Sequence, residues 1–320
     1  MKFIVTGGAG FIGHNVVRFL EGMGHECIVL DSFTNYGFVP QDELQYLSTE
    51  RRSRIRSSVH NVDIRDHKVI EDYFRTFSDH CAGVIHLASF PRQKVVNQNP
   101  IWGSEVMSTA LVNLLELTKS YHIKKFVYIS SSMVYGDFED DIVETAPCNP
   151  IGQYGILKLT GEKLVKDYSR RGHFCHTIIR PSAVYGPLDV EDRVISKFIL
   201  NAMRGEVLKV NGQQETLDFT YVDDAAEGIV QASLSEHTNN NTYNITKSHS
   251  HTLYDAAKLA IKIVGKGSIE LRDKDEDFPS RGALNINAAR RDFGFDPKVD
   301  VEEGFQIYYE WLRNSNYFNK

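Results

Sequence analysis

Tyr154 and Lys158 stand four residues apart inside Gln153 to Arg171, a stretch whose apolar residues recur at intervals of three and four. On a helix this spacing puts phenol and ammonium on one face, about 6 Å apart along the axis. A phenol ordinarily titrates near 10, and lowering it to about 7 takes roughly 4 kcal/mol of preferential stabilisation of the anion. One cation at about 4 Å, at an effective dielectric near 20, supplies a similar amount. The pair is thus expected to make Tyr154 a general base near neutral pH. Such a Tyr/Lys interval also arises by chance in many helices, so its meaning depends on what surrounds it.

A second cluster lies at the N-terminus. The short β-branched run ending at Thr6 leads straight into Gly7-Gly8-Ala9-Gly10-Phe11-Ile12-Gly13, with glycines spaced three and three. Glycines in a strand-to-helix turn let the backbone approach a pyrophosphate, and the helix that follows offers N–H donors and a partial positive charge. Asp31 ends the next apolar run, where a carboxylate accepts hydrogen bonds from ribose hydroxyls and repels a 2′-phosphate. The expected ligand is therefore NAD rather than NADP. Asp63, in Asn61-Val62-Asp63-Ile64-Arg65-Asp66, is placed to meet an adenine amino group or to act as a turn or cap residue.

These side chains need a frame. Strands are expected at Phe3 to Thr6, Glu26 to Leu30, a run ending near Asp63, Gly83 to Leu87, Lys125 to Ser130 and His176 to Arg180. Between them, Phe11 to Met23, Asp66 to Phe77, Ile101 to Tyr121 and Gln153 to Arg171 carry helical periodicity. That alternation predicts an α/β fold, a doubly wound parallel sheet of the Rossmann type followed by a smaller α+β lobe. Residues 1–180, rejoined by about 218–245, form the dinucleotide domain, and 181–217 with 246–320 form the substrate lobe. The acidic stretch Asp137 to Glu144 is expected to be a solvated loop near the site mouth, and the basic run Arg51 to Arg56 a solvated loop or helix end.

The chain has 320 residues and a formal net charge of −6. No long cationic block supports nucleic-acid binding, and no apolar run reaches the roughly 18 residues of a membrane-spanning helix. Cys27, Cys81, Cys148 and Cys175 are widely separated and show no metal-ligand spacing, so free thiols in a cytoplasmic protein without a metal are expected.

Taken together, the motifs resemble those of the extended short-chain dehydrogenase/reductases that epimerise or dehydrate nucleotide sugars. The resemblance rests on the glycine turn, His86-Leu87-Ala88-Ser89, Ser130 to Gly136, Tyr154 with Lys158, Arg180 to Pro187, Asp218 to Asp224 and Phe293 to Pro297. It implies that Ser131 is catalytic with Tyr154 and Lys158. It further implies that Gly7, Gly10, Phe11, Ile12, Gly13, Asp31, Ser32, Asp63, Ile64, Leu87, Ala88, Ser89, Tyr154 and Lys158 surround NAD. Ser131, Ser132, Arg193 and Arg281 would meet a nucleotide-diphosphate sugar. A homodimer built on helices Ile101 to Tyr121 and Gln153 to Arg171 is also implied.

The departures from the family pattern are as informative. Dehydratases of the family carry an Asp-Glu pair where this chain has Ser132 and Met133, and decarboxylases carry Glu at the Met133 position. A thioether cannot titrate, so both reactions are disfavoured. Ala183 and Leu217 replace an Asn and an Arg that contact diphosphate, and Glu105 stands where an Asn is frequent. The expected activity is epimerisation at C4 through a 4-keto sugar. A 4-dehydrogenase or 4-keto reductase with net redox change is the first alternative, and a non-catalytic NAD-sensing protein of the same fold the second.

Overall fold

The computed structural model describes residues 1–37 and 39–319. Seven parallel strands form the central sheet: β1 (Lys2–Thr6), β2 (Glu26–Asp31), β3 (Val59–Asn61), β4 (Cys81–His86), β5 (Lys125–Ile129), β6 (Cys175–Pro181) and β7 (Asn241–Ile245). Their order, β7-β6-β5-β4-β1-β2-β3, reverses direction between β1 and β4. A doubly wound sheet opens a crevice at such a reversal, beyond the carboxyl ends of the strands.

Both faces of the sheet are covered, which is why its strands read as nearly continuous apolar runs. Within β1, Ile4 packs into one buried cluster while Phe3 and Val5 pack into another, as the two-residue side-chain period of a strand requires. Helix α1 (Phe11–Gly22) follows β1, and helix α2 (Gln41–Ser53) lies between β2 and β3. Helix α3 (Gly152–Arg170) precedes β6, and helix α4 (Val222–Leu234), packed against α1, precedes β7.

The second lobe has its own core, in which Tyr185, Phe198, Leu208, Phe305 and Tyr308 are buried together. Its strands are short. Val207–Asn211 pairs with Ser268–Arg272, and Thr216–Asp218 with Ser250–Thr252. Among the described residues no helix is long and apolar enough to cross a membrane.

Several expectations need correction. The helix expected over Ile101 to Tyr121 is interrupted: Pro100–Ser104 and Ala110–Ser120 are α-helical, and Glu105–Thr109 between them is a π turn. Strand β3 ends at Asn61, near Asp63 as expected, and Asp63 takes the turn position its sequence allowed. Arg51 is not solvated; it closes α2 at 6% exposure and donates through Nε and Nη2 to the Leu188 carbonyl. The acidic stretch is exposed at Asp137, Glu139, Asp140 and Asp141, as expected, but it is also tied to neighbouring segments. Phe138 and Ile142 bridge to Arg281 and Leu284, Asp140 accepts from Ser250 and the Ala283 amide, and Glu144 accepts from the Asn244 amide.

Candidate active site

The glycine turn sits at the sheet's reversal point. Gly7 has φ +70°, and a Cβ there would lie 2.5 Å from the Ala88 nitrogen, beyond the end of β4. A Cβ at Gly13 would lie 2.1 Å from the Gly7 carbonyl, so α1 approaches the turn only because position 13 lacks one. Gly10 caps α1 without a side-chain hydrogen bond. The first-turn N–H groups of a helix have no intrahelical acceptor, and here Phe11, Ile12 and Gly13 line a cavity.

Two adjoining cavities occupy this crevice and share Gly7, Gly10, Phe11, Leu87, Ser89 and Arg193. The first is lined by Asp31, Ser32, Asp63, Ile64 and Ala88. The second is lined by Ile12, Gly13, Ser131, Ser132, Tyr154, Lys158 and Arg281. All the residues expected at the site thus face one cavity or the other.

In the first cavity, the Asp31 carboxylate accepts from the Ala9 amide at 3.0 Å and the Phe33 amide at 2.9 Å. Burial raises its pKa, and those two amides and the Arg51 guanidinium pull it back down. The turn thereby holds an acidic group at the end of β2 with a buried cation nearby. Asp63 lines the same cavity, but Arg65 donates to both its oxygens, at 2.7 Å to Oδ2 from Nη2. Arg65 also pairs with Glu105 at 3.1 Å and lies 5.2 Å from the centre of the Trp102 ring. Glu105 therefore has a local partner, which explains an acid at that position.

The second cavity holds the reactive groups. Tyr154 projects from α3, and Ser131 sits just past the end of β5, its Oγ accepting from the Met133 amide at 3.2 Å. Burial raises the Tyr154 pKa; Arg193, a hydrogen bond with Ser131 and Arg281 lower it. The net direction is upward from 10 because burial outweighs the three lowering contacts, which corrects the expected lowering by Lys158: that cation is not among the groups acting on the phenol. The lysine ammonium lies 5.8 Å from the Tyr154 ring centre and donates to the Ile129 carbonyl at 2.8 Å. Burial lowers its own pKa to about 7, against a raising pull from Glu162. The cations that act on the phenol come from the second lobe.

The arginines also present unused donors. Nε of Arg193 and Nε of Arg281 are buried and make no hydrogen bond among the described residues, although Arg193 Nε pairs with the Asp189 carboxylate at 3.8 Å. Burial lowers the Arg281 pKa to about 10, the mark of a cation held away from water with little to neutralise it. Ala183 and Leu217 line the same cavity as apolar side chains, and Arg193 and Arg281 line it as cations. Met133 lines it too, beside Ser131.

Behind the cavity is a buried ion pair that the motif reading did not single out. Glu162, four residues beyond Lys158 on α3, accepts from Arg180 at 2.8 and 2.7 Å and from Ser130 Oγ at 2.6 Å. The repeat Tyr154, Lys158, Glu162 at intervals of four was the available signal for it.

The chain is similar in sequence and fold to known proteins. Residues 3–246 match the model of the NAD dependent epimerase/dehydratase family. The chain belongs to this family. Among solved members, a UDP-glucose 4-epimerase from Thermus thermophilus, in complex with NAD, is 25% identical and superposes with a TM-score of 0.86, covering 98% of this chain and 100% of that one. A UDP-glucuronic acid 4-epimerase from Bacillus cereus, in complex with UDP-glucuronic acid and NAD, is 27% identical with a TM-score of 0.85, covering 98% and 99%. A UDP-glucuronic acid decarboxylase from Arabidopsis thaliana is 29% identical over 317 residues, 96% of this chain and 67% of its own. The family's cofactor suits the crevice, whose glycine cradle would be filled by a Cβ and whose first-turn amides and Asp31 supply the donor and acceptor sets a dinucleotide requires.

Proposed function

We propose that the protein is an NAD-dependent 4-epimerase of a nucleotide-diphosphate sugar. One observation carries this reading: Tyr154 and Ser131 share a cavity with the guanidinium groups of Arg193 and Arg281, the latter with a buried Nε that makes no hydrogen bond among the described residues, and the residue beside them at position 133 cannot titrate. Gly7, Gly10, Phe11, Ile12 and Gly13 would hold the pyrophosphate of NAD through backbone amides, and Asp31 the adenosine ribose. Ser32, Asp63, Ile64, Leu87, Ala88 and Ser89 would complete that cavity, and Lys158 would reach the nicotinamide ribose. When bound, NAD would supply a reversible hydride acceptor for C4, so that no net redox change would accumulate.

The chain's own residues do the rest. Tyr154 removes the proton of the C4 hydroxyl and later returns it, and the Ser131 hydroxyl hydrogen-bonds to the same oxygen. Arg193 and Arg281 neutralise the diphosphate, which is the group their buried donors fit. Residues 1–180 with about 218–245 serve cofactor binding, and 181–217 with 246–320 serve the substrate. The decarboxylase among the relatives does not change this reading, because Met133 offers no acid or base beside the sugar.

The working unit is proposed to be a cytoplasmic homodimer. Ile101 and Ile156 are 77% and 50% exposed on neighbouring helices that Gln153 joins through the Pro100 carbonyl, a patch suited to a second copy. The reading is tested by offering UDP-glucose, UDP-N-acetylglucosamine and UDP-glucuronic acid to the purified holoenzyme and following each by NMR and by absorbance at the NADH band. Formation of the C4 epimer at constant absorbance is expected. Stoichiometric NADH would favour the dehydrogenase alternative, and a product lighter by one water or by carbon dioxide would overturn the argument from Met133.

A further inference from the structure

Gln93 opens the short helix Gln93–Gln98 and is 3% exposed. Its Nε2 donates to the Asp277 carbonyl. A backbone carbonyl only accepts, so this bond fixes which end of the amide carries the oxygen. The remaining Oε1 is buried and has no hydrogen-bond partner among the described residues. An amide oxygen left this way costs stability until something donates to it.

The surroundings say what should. Gln93 lines the second cavity with Tyr154, Ser131 and Arg281. It also packs against the opening of α3: a Cβ at Gly152, whose φ is +79°, would come within 2.4 Å of the Gln93 amide, and Gly152 lies two residues before Tyr154. Asp277 precedes Phe278, which lines the cavity from the second lobe. Ser89 Oγ, in the same cavity, is likewise buried without a partner among the described residues. The unused polar atoms therefore sort by chemistry. The charged donor on Arg281 suits an anion, Arg193 Nε already faces the Asp189 carboxylate at 3.8 Å, and the neutral Gln93 acceptor in the cavity of Tyr154 and Ser131 suits an uncharged donor. A carboxylate in its place would add negative charge near Tyr154 and raise the phenol pKa.

We propose that Gln93 is a specificity-determining residue whose Oε1 accepts a hydrogen bond from a sugar-ring hydroxyl other than that at C4, which Tyr154 and Ser131 engage. This rests on the epimerase reading above. The experiment measures kcat/KM of wild-type and Gln93→Met holoenzyme for the UDP sugar turned over fastest and for its 2-, 3- and 6-deoxy analogues. Methionine keeps the length and removes the acceptor. The variant is expected to lose roughly tenfold on the parent sugar, the scale of one neutral hydrogen bond. One deoxy analogue should show the same loss with wild type and no further loss with the variant. Equal kcat/KM for variant and wild type on the parent sugar would overturn the assignment. So would an equal loss on all four substrates, which is what a mere strut between Asp277 and α3 predicts. If the variant does not fold, the wild-type series decides: a drop for one analogue supports the contact, and a flat series removes it. A wild type that epimerises no UDP sugar overturns the function itself and the assignment with it, an outcome distinct from active wild type with an equally active variant.

Discussion

Around Tyr154, the charge arrangement differs from what helical spacing alone suggests. The interval of four does bring Lys158 close, but one of its ammonium donors goes to the Ile129 carbonyl, and against the larger rise from burial the cations that pull the phenol pKa down are Arg193 and Arg281. Arg281→Met should therefore move the ascending limb of kcat/KM to higher pH, since kcat/KM reports ionisation of the free enzyme, and should weaken substrate binding as well. A limb that stays in place would mean that Arg281 acts on the diphosphate alone. Tyr154→Phe keeps the ring and removes the proton acceptor; turnover should fall about a hundredfold or more, with NAD still retained on gel filtration. Asp31→Ala removes the repulsion expected against a 2′-phosphate and leaves Arg51 with less opposing charge. Calorimetry should then show the affinity gap between NAD and NADP narrowing, whereas an unchanged gap would take Asp31 out of the ribose site.

Secondary-structure elements place these groups, and they differ in how legible they were. The strands and helices of the first 180 residues announce themselves because both sheet faces are buried, giving apolar runs, and the helices carry one apolar stripe. Helix α2 does not. Its sequence QDELQYLSTERRS is largely polar, and it is held through tertiary contacts: Leu47 is fully buried, Glu43 accepts from the Glu191 amide and Arg51 donates to Leu188. Such contacts across more than a hundred residues leave no periodic trace. The π turn at Glu105–Thr109 and the packing of Asp137 to Glu144 escape for the same reason. The reactive residues were legible because their chemistry needs fixed types at fixed intervals, while Gln93 and Glu162 matter through atoms left over or paired only in three dimensions. Glu162→Ala tests one such pairing. It leaves Arg180 buried without its carboxylate, and urea unfolding should report a loss of roughly 3–5 kcal/mol. Because Glu162 raises the Lys158 pKa, the same change should push that pKa further below its value of about 7. A stability loss under about 1 kcal/mol would mean the pair contributes little.

For the molecule as a whole, the site is a meeting of two lobes at the reversal point of one sheet. The first lobe supplies the glycine turn, Asp31, Ser131 and the helix bearing Tyr154 and Lys158; the second supplies Arg193, Arg281 and the Asp277–Phe278 segment. The proposed substrate, a sugar diphosphate, would offer its C4 hydroxyl to Tyr154 and its phosphates to the two arginines. Assembly adds a further check. Ile156→Asp places a charge in the exposed apolar patch and should convert a dimer to a monomer in analytical ultracentrifugation, and a species of unchanged mass would move the interface elsewhere. The central claim is C4 epimerisation with the hydride held inside the protein, and it is tested most directly by proton NMR of the UDP sugar and holoenzyme incubated in D2O. The account predicts that the C4 epimer appears with protium retained at C4 and at C5, because the hydrogen leaves and returns as hydride and Tyr154 exchanges only hydroxyl protons. Deuterium entering at C4 or C5 as the epimer forms would show carbon-bound proton abstraction and contradict the mechanism.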